Sequence, residues 1–478
     1  MRTTYMKSAL KYLLFFLLAI CIMTAALFAV SIFPREWIQS NSEESARQLM
    51  RIDSDFYNLT DGSIGREELR IGDYSKVDQY ADSLSLNMAY YIDPSHPLKS
   101  ALLAQYYDGI EYKGSLIKVP RKIPLEKYQY QETAREVPLK TMNESYARSV
   151  KGGTSPNRDY LRYWHGSLII IRPMLIFWNY MQMKTILGIM MGLLLAFLLI
   201  LLVRHRFRVE AVCIAIAMIS VSIWYVPLSL EYIWMFLLML VISIIAVKWC
   251  VCGKIKNIPL LLFQAGMLAA FFDFFTTETI TLLIPLLLVI RIVGRRGEEK
   301  ELWRLAAKGC VIWGIGYAGC WTAKWVLSAI VFRQNISSFV GYNILLHMGA
   351  LEKAPVIRQI YASLLKNIWP MFPLGYGRIG AMLFAIALLV FIFIPVFQGR
   401  IVLRKAINRK RILLYALLGA LVYVRFIVLR DHVWMHFFFT YRAQAATVLS
   451  VCFIVPELIE YHCVSKDNLI AFDNKNNG

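Results

Sequence analysis

From Thr185 to Val203 the chain reads TILGIMMGLLLAFLLILLV, then turns at once to Arg204, His205, Arg206 and Arg208. None of these 19 residues is charged, and the run matches the roughly 20 apolar residues a helix needs to cross a bilayer's hydrocarbon. Similar runs lie from Leu10 to Phe33 and repeatedly toward the C-terminal region. Hydrophobic residues make up 58% of the 478, and the mean hydropathy is +0.50. That exceeds what a soluble domain needs to fill a core. The expected fold class is therefore an all-α polytopic membrane protein of about ten transmembrane helices, with a lipid bilayer as its first partner.

Arg2, Lys7 and Lys11 precede the first run, which places the N-terminus in the cytoplasm, because cationic flanks stay inside. The run ends at Ser31, Ile32, Phe33 and Pro34 without a small-residue cleavage pattern, so it reads as a retained anchor. Further spans are expected at 185–203, 211–228, 233–249, 259–275, 279–293, 305–332, 379–397, 412–429 and 443–458. This count puts four basic inter-span turns and both termini in the cytoplasm, and a shift of one span would invert every later turn. The resulting division is 1–33 for the N-terminus and first helix, 34–166 for an extracytoplasmic domain, 167–461 for the multi-span domain and 462–478 for a cytoplasmic tail. The expected location is the cell membrane. No internal repeat or pair of broken helices marks inverted transporter halves.

The formal net charge is +20, but the cations cluster in turns between spans, where topology accounts for them, so nucleic acid is not an expected partner. None of the eight cysteines lies between Pro34 and Gly166, so that domain has no disulfide framework. Cys250 and Cys252 have no second pair nearby and read as reduced thiols rather than zinc ligands.

A structureless loop as long as 34–166 is unusual, which predicts a small, mainly helical domain on the outer membrane surface. Asn41 with Glu44 three residues later predicts a helix N-terminus leading into Ala46, Leu49 and Ile52. In 78–91, Leu84, Leu86, Met88 and Ala89 predict a helix with one buried face. The proline-rich, charged stretch 118–140 is expected to be irregular.

Ionisable side chains at a membrane boundary are costly, so their placement carries information. Asp273, Lys324, Arg333, Arg425, Arg430, Asp431, His432, His436 and Arg442 gather at the expected outer boundary. One reading has them snorkel and pair; the other makes them a site, because Lys324 and Arg425 lie inside their spans. Two segments mix rings and cations: Tyr160-Leu-Arg-Tyr-Trp-His-Gly166, with Arg172 following, and His436-Phe-Phe-Phe-Thr-Tyr-Arg442. These fit an interfacial aromatic belt, or a site where Arg meets a lipid-linked phosphate and rings stack on a sugar. Carboxylates that could deprotonate an acceptor or hold a divalent cation are Asp53 and Asp55, and the pair Asp78 and Asp82. Each pair equally fits a solvated acidic surface. No nucleotide-binding glycine motif, metalloprotease helix or nucleophile elbow occurs.

With its many spans and a long first outer loop carrying acids, the architecture resembles the C-type membrane glycosyltransferases (GT-C superfamily). The segments Tyr80 to Tyr90, Tyr160 to Gly166 and His436 to Arg442 also look like those of a family of polytopic membrane proteins from Gram-positive bacteria. The superfamily resemblance implies an inverting transfer of a sugar from polyprenyl phosphate to an envelope glycan or lipid at the outer face. Asp82 would then be the base, with Asp53 or Asp55 as alternates, and Arg172, Lys324, Arg425 and Arg442 would meet the phosphate. His165 and His436 would hydrogen-bond phosphate or sugar, with Arg162, Trp164, Asp273 and Tyr441 completing the substrate site. No cofactor is required, although a divalent cation is compatible. The chain departs from the superfamily pattern in placing Asp82 far downstream of the first span. A flippase for a lipid-linked glycan and a non-enzymatic assembly scaffold are the alternatives.

Overall fold

The computed structural model describes residues 2–51, 79–109, 142–295, 299–350, 354–368, 370–371, 386, 401–404 and 406–461. Asp53, Asp55, Asp78, the stretch 118–140 and the expected span at 379–397 lie outside these residues. Apart from an antiparallel pair of three-residue strands, Ile401–Leu403 with Ile459–Tyr461, the described regular structure is helical.

Seven of the described helices are long and apolar enough to cross a bilayer, which makes the chain a multi-pass membrane protein. The seven are α1 (Arg2–Ser31), α7 (Tyr180–Arg204), α9 (Ile233–Val251), α10 (Ile258–Phe272), α12 (Glu299–Phe332), α15 (Arg409–Val428) and α18 (Ala445–Leu458), the last with the apolar residues from Phe437 that lead into it; the shorter α8 (Arg208–Ser220) and α11 (Ile280–Val293) pack among them. α7 starts five residues earlier than hydropathy places it, because Asn179 and Gln182 close a reciprocal capping box. The expected span at 211–228 is not one helix: α8 stops at Ser220, Ser222 takes φ of +53°, and a short tight helix runs from Ile223 to Leu228 through Pro227. α11 has only 14 residues, yet every side chain from Ile280 to Ile290 is buried. Protein rather than lipid surrounds it, so it need not match the bilayer thickness. α7 turns Leu193, Ile200 and Ile189 outward, as a lipid-facing helix should.

α10 and α12 cross in close contact at two glycines. A Cβ on Gly266 would stand 2.2 Å from the Trp313 carbonyl oxygen, and one on Gly316 would stand 2.3 Å from that of Phe263. Such pairing of small residues is how membrane helices gain contact area without a hydrophobic drive. Gly316→Ala is expected to cost about 1–3 kcal/mol by overpacking, read as a lower melting temperature in detergent, and an unchanged melt would show that the helices separate freely.

Between the first two long helices lie α2 (Glu36–Arg51), α3 (Gln79–Tyr91), α4 (Pro97–Leu103), α5 (Met142–Lys151) and α6 (Leu168–Phe177). α2 begins before Asn41, so that residue is no N-cap; its amide donates to the Leu175 and Ile176 carbonyls at 3.0 and 3.2 Å. α3 is buried on all sides from Asp82 to Ile92 rather than on one face, because α2, α5 and α6 enclose it.

The bundle has two polar ends. At one, Glu210 accepts from Arg291 at 3.1 Å and from Arg295 at 2.6 Å, while Arg291 also pairs with Glu457 and Arg411 with Glu299. The cationic turns at this end are thus partly neutralised by buried acids. The other end collects the rings and cations of the candidate site.

Candidate functional site

At that second end the loop from Asp273 to Thr279 joins α10 to α11. Asp273 caps the turn by accepting from the Thr276 amide at 3.0 Å and from its hydroxyl. Phe275 takes φ of +62°, which costs a non-glycine residue energy and turns its carbonyl toward neighbouring helices. Two donors hold that carbonyl: Nη2 of Arg425 at 2.5 Å and Nε2 of His432 at 2.9 Å. Arg425 also forms a buried two-pronged pair with Glu278, at 2.5 and 3.1 Å.

Three imidazoles form a fan beside Phe275, two of them against its ring and the third against His432. His347 ends α13 (Ser337–His347), His432 lies in α16 (Arg430–Met435), and His436 precedes the short helix α17 (Phe437–Thr440). The His347 and His432 centroids are 5.3 Å apart, and those of His432 and His436 4.6 Å. Phe275 lies 5.3 Å from His347 and stacks on Trp321 at 5.2 Å. Tyr163 meets Phe275 edge to face at 5.6 Å.

Hydrogen bonding fixes the protons. Nδ1 of His347 faces the Asn343 carbonyl at 2.6 Å, and a carbonyl only accepts, so Nδ1 carries the hydrogen. Nε2 of His347 is then the acceptor for the Arg162 guanidinium at 3.2 Å. By the same logic His432 carries its hydrogen on Nε2. Burial, with Arg162 as second cause, pushes His347 down to about 3. Burial and Arg162 likewise hold His436 at about 4. Burial, then His436, His347 and Arg425, place His432 well below the ordinary imidazole range. All three rings are neutral at pH 7. Nδ1 of His436 is buried with no hydrogen-bond partner among the described residues. Arg162, half-buried, stands over the Tyr160 and Tyr163 rings at 5.8 Å each.

The structure brings Arg162, Asp273, Arg425 and His436 into this one region. His165 borders it through Tyr163, with φ of +57° and Nε2 donating to the Tyr160 carbonyl at 2.6 Å. Of the other expected site residues, Asp82, Trp164 and Lys324 join the α2–α6 region to the bundle, Arg172 ties α6 to the ends of α3 and α1, and Tyr441 and Arg442 bond within the bundle. Asp82 is completely buried, and its oxygens accept from Tyr180 at 2.7 Å, Ser229 at 3.0 Å and the Leu230 amide at 2.8 Å. Burial pushes its carboxyl up, against the opposing pull of Lys184. Arg172 donates to the Ala89 carbonyl near the end of α3 and to that of Phe33 after α1, at 2.5 and 2.6 Å. Lys324 donates to the Leu102 carbonyl at 2.7 Å, and Trp164 to that of Cys320 at 2.9 Å. Tyr441 donates to the Val221 carbonyl at 3.1 Å. Arg442 is buried between the Tyr232 and Tyr441 rings, 4.9 and 4.7 Å from its guanidinium carbon, with Nη1 on the Phe438 carbonyl.

Sequence reasoning missed His347, a lone imidazole in an apolar segment. His432 and His436 carried a usable signal, four residues apart and so close to one face if helical. Among the described residues no group of three or more His, Cys, Asp or Glu side chains is arranged to hold a metal ion. No protein-family model, curated protein or solved structure matches the chain.

Proposed function

We propose that the protein is a membrane glycosyltransferase that moves a sugar from a polyprenyl-phosphate donor to a cell-envelope glycan or lipid at the outer face of the cell membrane. The observation that supports this reading is a half-buried guanidinium, Arg162, bonded to one neutral imidazole and close to others among aromatic rings, at one end of the membrane helices. The reading takes α8, α11 and the stretch 379–397 as further spans, giving about ten, with α2 to α6 outside and both termini in the cytoplasm.

The chemistry follows from the residues. Arg162 meets the donor phosphate through paired N–H groups, as guanidinium does for phosphate oxyanions. An acceptor hydroxyl attacks the anomeric carbon from the opposite face. The bond from that carbon to the phosphate oxygen breaks, a new glycosidic bond forms with inversion, and the lipid phosphate leaves with the electron pair. The hydroxyl proton passes to Nδ1 of His436. In the free protein that nitrogen is a weak base, because burial and the Arg162 charge both disfavour its protonation. A bound phosphate anion cancels the second effect, so the base strengthens when the donor arrives. Asp82 has a different part here: with three donors on its two oxygens it ties α3 to α7 and to the turn before α9.

The test is transfer of radiolabelled sugar from polyprenyl phosphate by purified protein in vesicles. His436→Ala is expected to lose at least about a hundredfold in rate, the usual scale for a general base. Full activity in that variant removes His436 from the role. Absence of transfer with every donor defeats the enzyme reading, and flux of lipid-linked glycan without covalent change favours a flippase.

A further inference from the structure

Helix α14 (Val356–Ile368) is built inside out. Its inward residues are polar: Ser363, Lys366 and Asn367 are buried. The Ser363 hydroxyl donates to the Arg430 carbonyl at 2.9 Å, and the Asn367 amide to that of Val433 at 3.1 Å. Asn367 in turn accepts from Thr440 at 2.7 Å. The Lys366 ammonium sits 3.9 Å from the Trp434 ring centroid and 4.6 Å from that of Phe437. Its outward residues are largely apolar, with Ile357 82% exposed, Tyr361 64%, Val356 51% and Ile368 41%. A helix facing water shows the opposite pattern.

Two observations identify what covers that edge. α14 packs on α15, a long apolar helix whose Val424, Ile427 and Val428 are also turned outward. In addition, α14 has 13 residues and is about 20 Å long, too short to cross hydrocarbon roughly 30 Å thick. Arg358, at its exposed N-terminal end, can snorkel to headgroups. We infer that α14 lies in one leaflet of the membrane, with Val356, Ile357, Tyr361 and Ile368 among the acyl chains.

The consequence reaches the site. The bonds from Ser363 and Asn367 end on the segment that carries His432 and His436, and α13, whose Ile344 and Leu345 are also exposed, ends on His347. The imidazole fan is therefore held by elements seated at the lipid surface, at headgroup depth. A ligand reaching it from the leaflet is an amphiphile whose polar head meets Arg162 while its tail stays in lipid. The placement of α14 rests on its exposure pattern, its packing on α15 and its length, and the experiment needs no turnover, so it stands or falls separately from glycosyl transfer.

Spin labels at Ile357→Cys, Tyr361→Cys and, for reference, Arg47→Cys on α2 would be placed in a background whose native cysteines are replaced. The protein is reconstituted in phosphatidylcholine and phosphatidylglycerol vesicles, and collision rates with oxygen and with a water-soluble nickel chelate are measured. Positions 357 and 361 should show an oxygen-to-nickel ratio several-fold above position 47. Equal ratios overturn the proposal, as does spin–spin broadening at 357 that reports a second copy on this face. Hydroxyl-radical footprinting of the wild type covers the case in which the cysteine-free background does not fold. Tyr361 in vesicles should then be oxidised several-fold more slowly than in denatured protein despite its exposure, and an equal rate overturns the proposal.

Discussion

Arg425→Met is expected to cost the folded protein about 3–5 kcal/mol, the range for removing one partner of a buried ion pair. Arg425 and Glu278 are each about 5% exposed and share a two-pronged pair. Without the guanidinium, Glu278 keeps an uncompensated buried charge, and the carbonyls of Phe275 and Thr276 lose the Arg425 donor they now share. The left-handed Phe275 backbone then loses part of what holds it, and with it the ring that lies between His347 and Trp321. The measurement is thermal unfolding in detergent, compared with Arg425→Met combined with Glu278→Leu. Replacing both charges should recover much of the loss, because apolar substitutes of similar volume often match a buried pair. A single variant that melts like the wild type, or a double variant no better than the single, would show that the pair does not hold the loop.

The membrane helices were legible because their signal is local and additive. From Thr185 to Val203 every residue argues for lipid, and no distant partner can reverse that. The break after Ser220 was hidden, since a left-handed Ser222 and Pro227 sit in a stretch that is uncharged and mostly apolar. The site was legible only as a population. Arg162, Arg172 and Lys324 look alike in the sequence, as cations beside rings at span ends. What separates them is which helix ends they meet: Arg172 and Lys324 find backbone carbonyls near the ends of α3 and α4, while Arg162 finds an imidazole. Asp82 resembled a solvated acid because its donors, Tyr180 and Ser229, lie 98 and 147 residues away. His347 was invisible for the same reason, since it joins the fan only after α13 folds back against α16.

Acidification supplies the second large effect. His165 and His347 are 1% and 6% exposed, and burial holds each imidazole near a pKa of about 3. The ordinary value is about 6.5. A group whose folded pKa is depressed contributes its full stability above the unfolded value and loses it as pH falls toward the folded one. The window therefore opens near pH 6.5 and runs down to about 3, and within it each ring costs about 1.4 kcal/mol per pH unit. Two rings between pH 6.5 and 5 give a loss of about 4 kcal/mol, and buried His432, held well below the ordinary imidazole range, and half-buried His436 add to it in the same direction. Asp82 opposes this, because burial raises its carboxyl, so protonation on acidification favours the folded state. Its effect lies between the ordinary carboxylate pKa and the raised value. Melting temperatures in detergent should accordingly fall steadily from pH 7 to 5, and His347→Gln, which keeps a polar group without the titration, should remove about a quarter to a third of the slope. A melt that stays flat across that range would show that the imidazoles are not held neutral by burial, and an unchanged slope in His347→Gln would place the proton uptake elsewhere. The same neutrality leaves one ring nitrogen of His436 without a hydrogen at pH 7, as the proposed base chemistry requires, so the acid loss of stability and that chemistry share one physical cause, the burial of these rings.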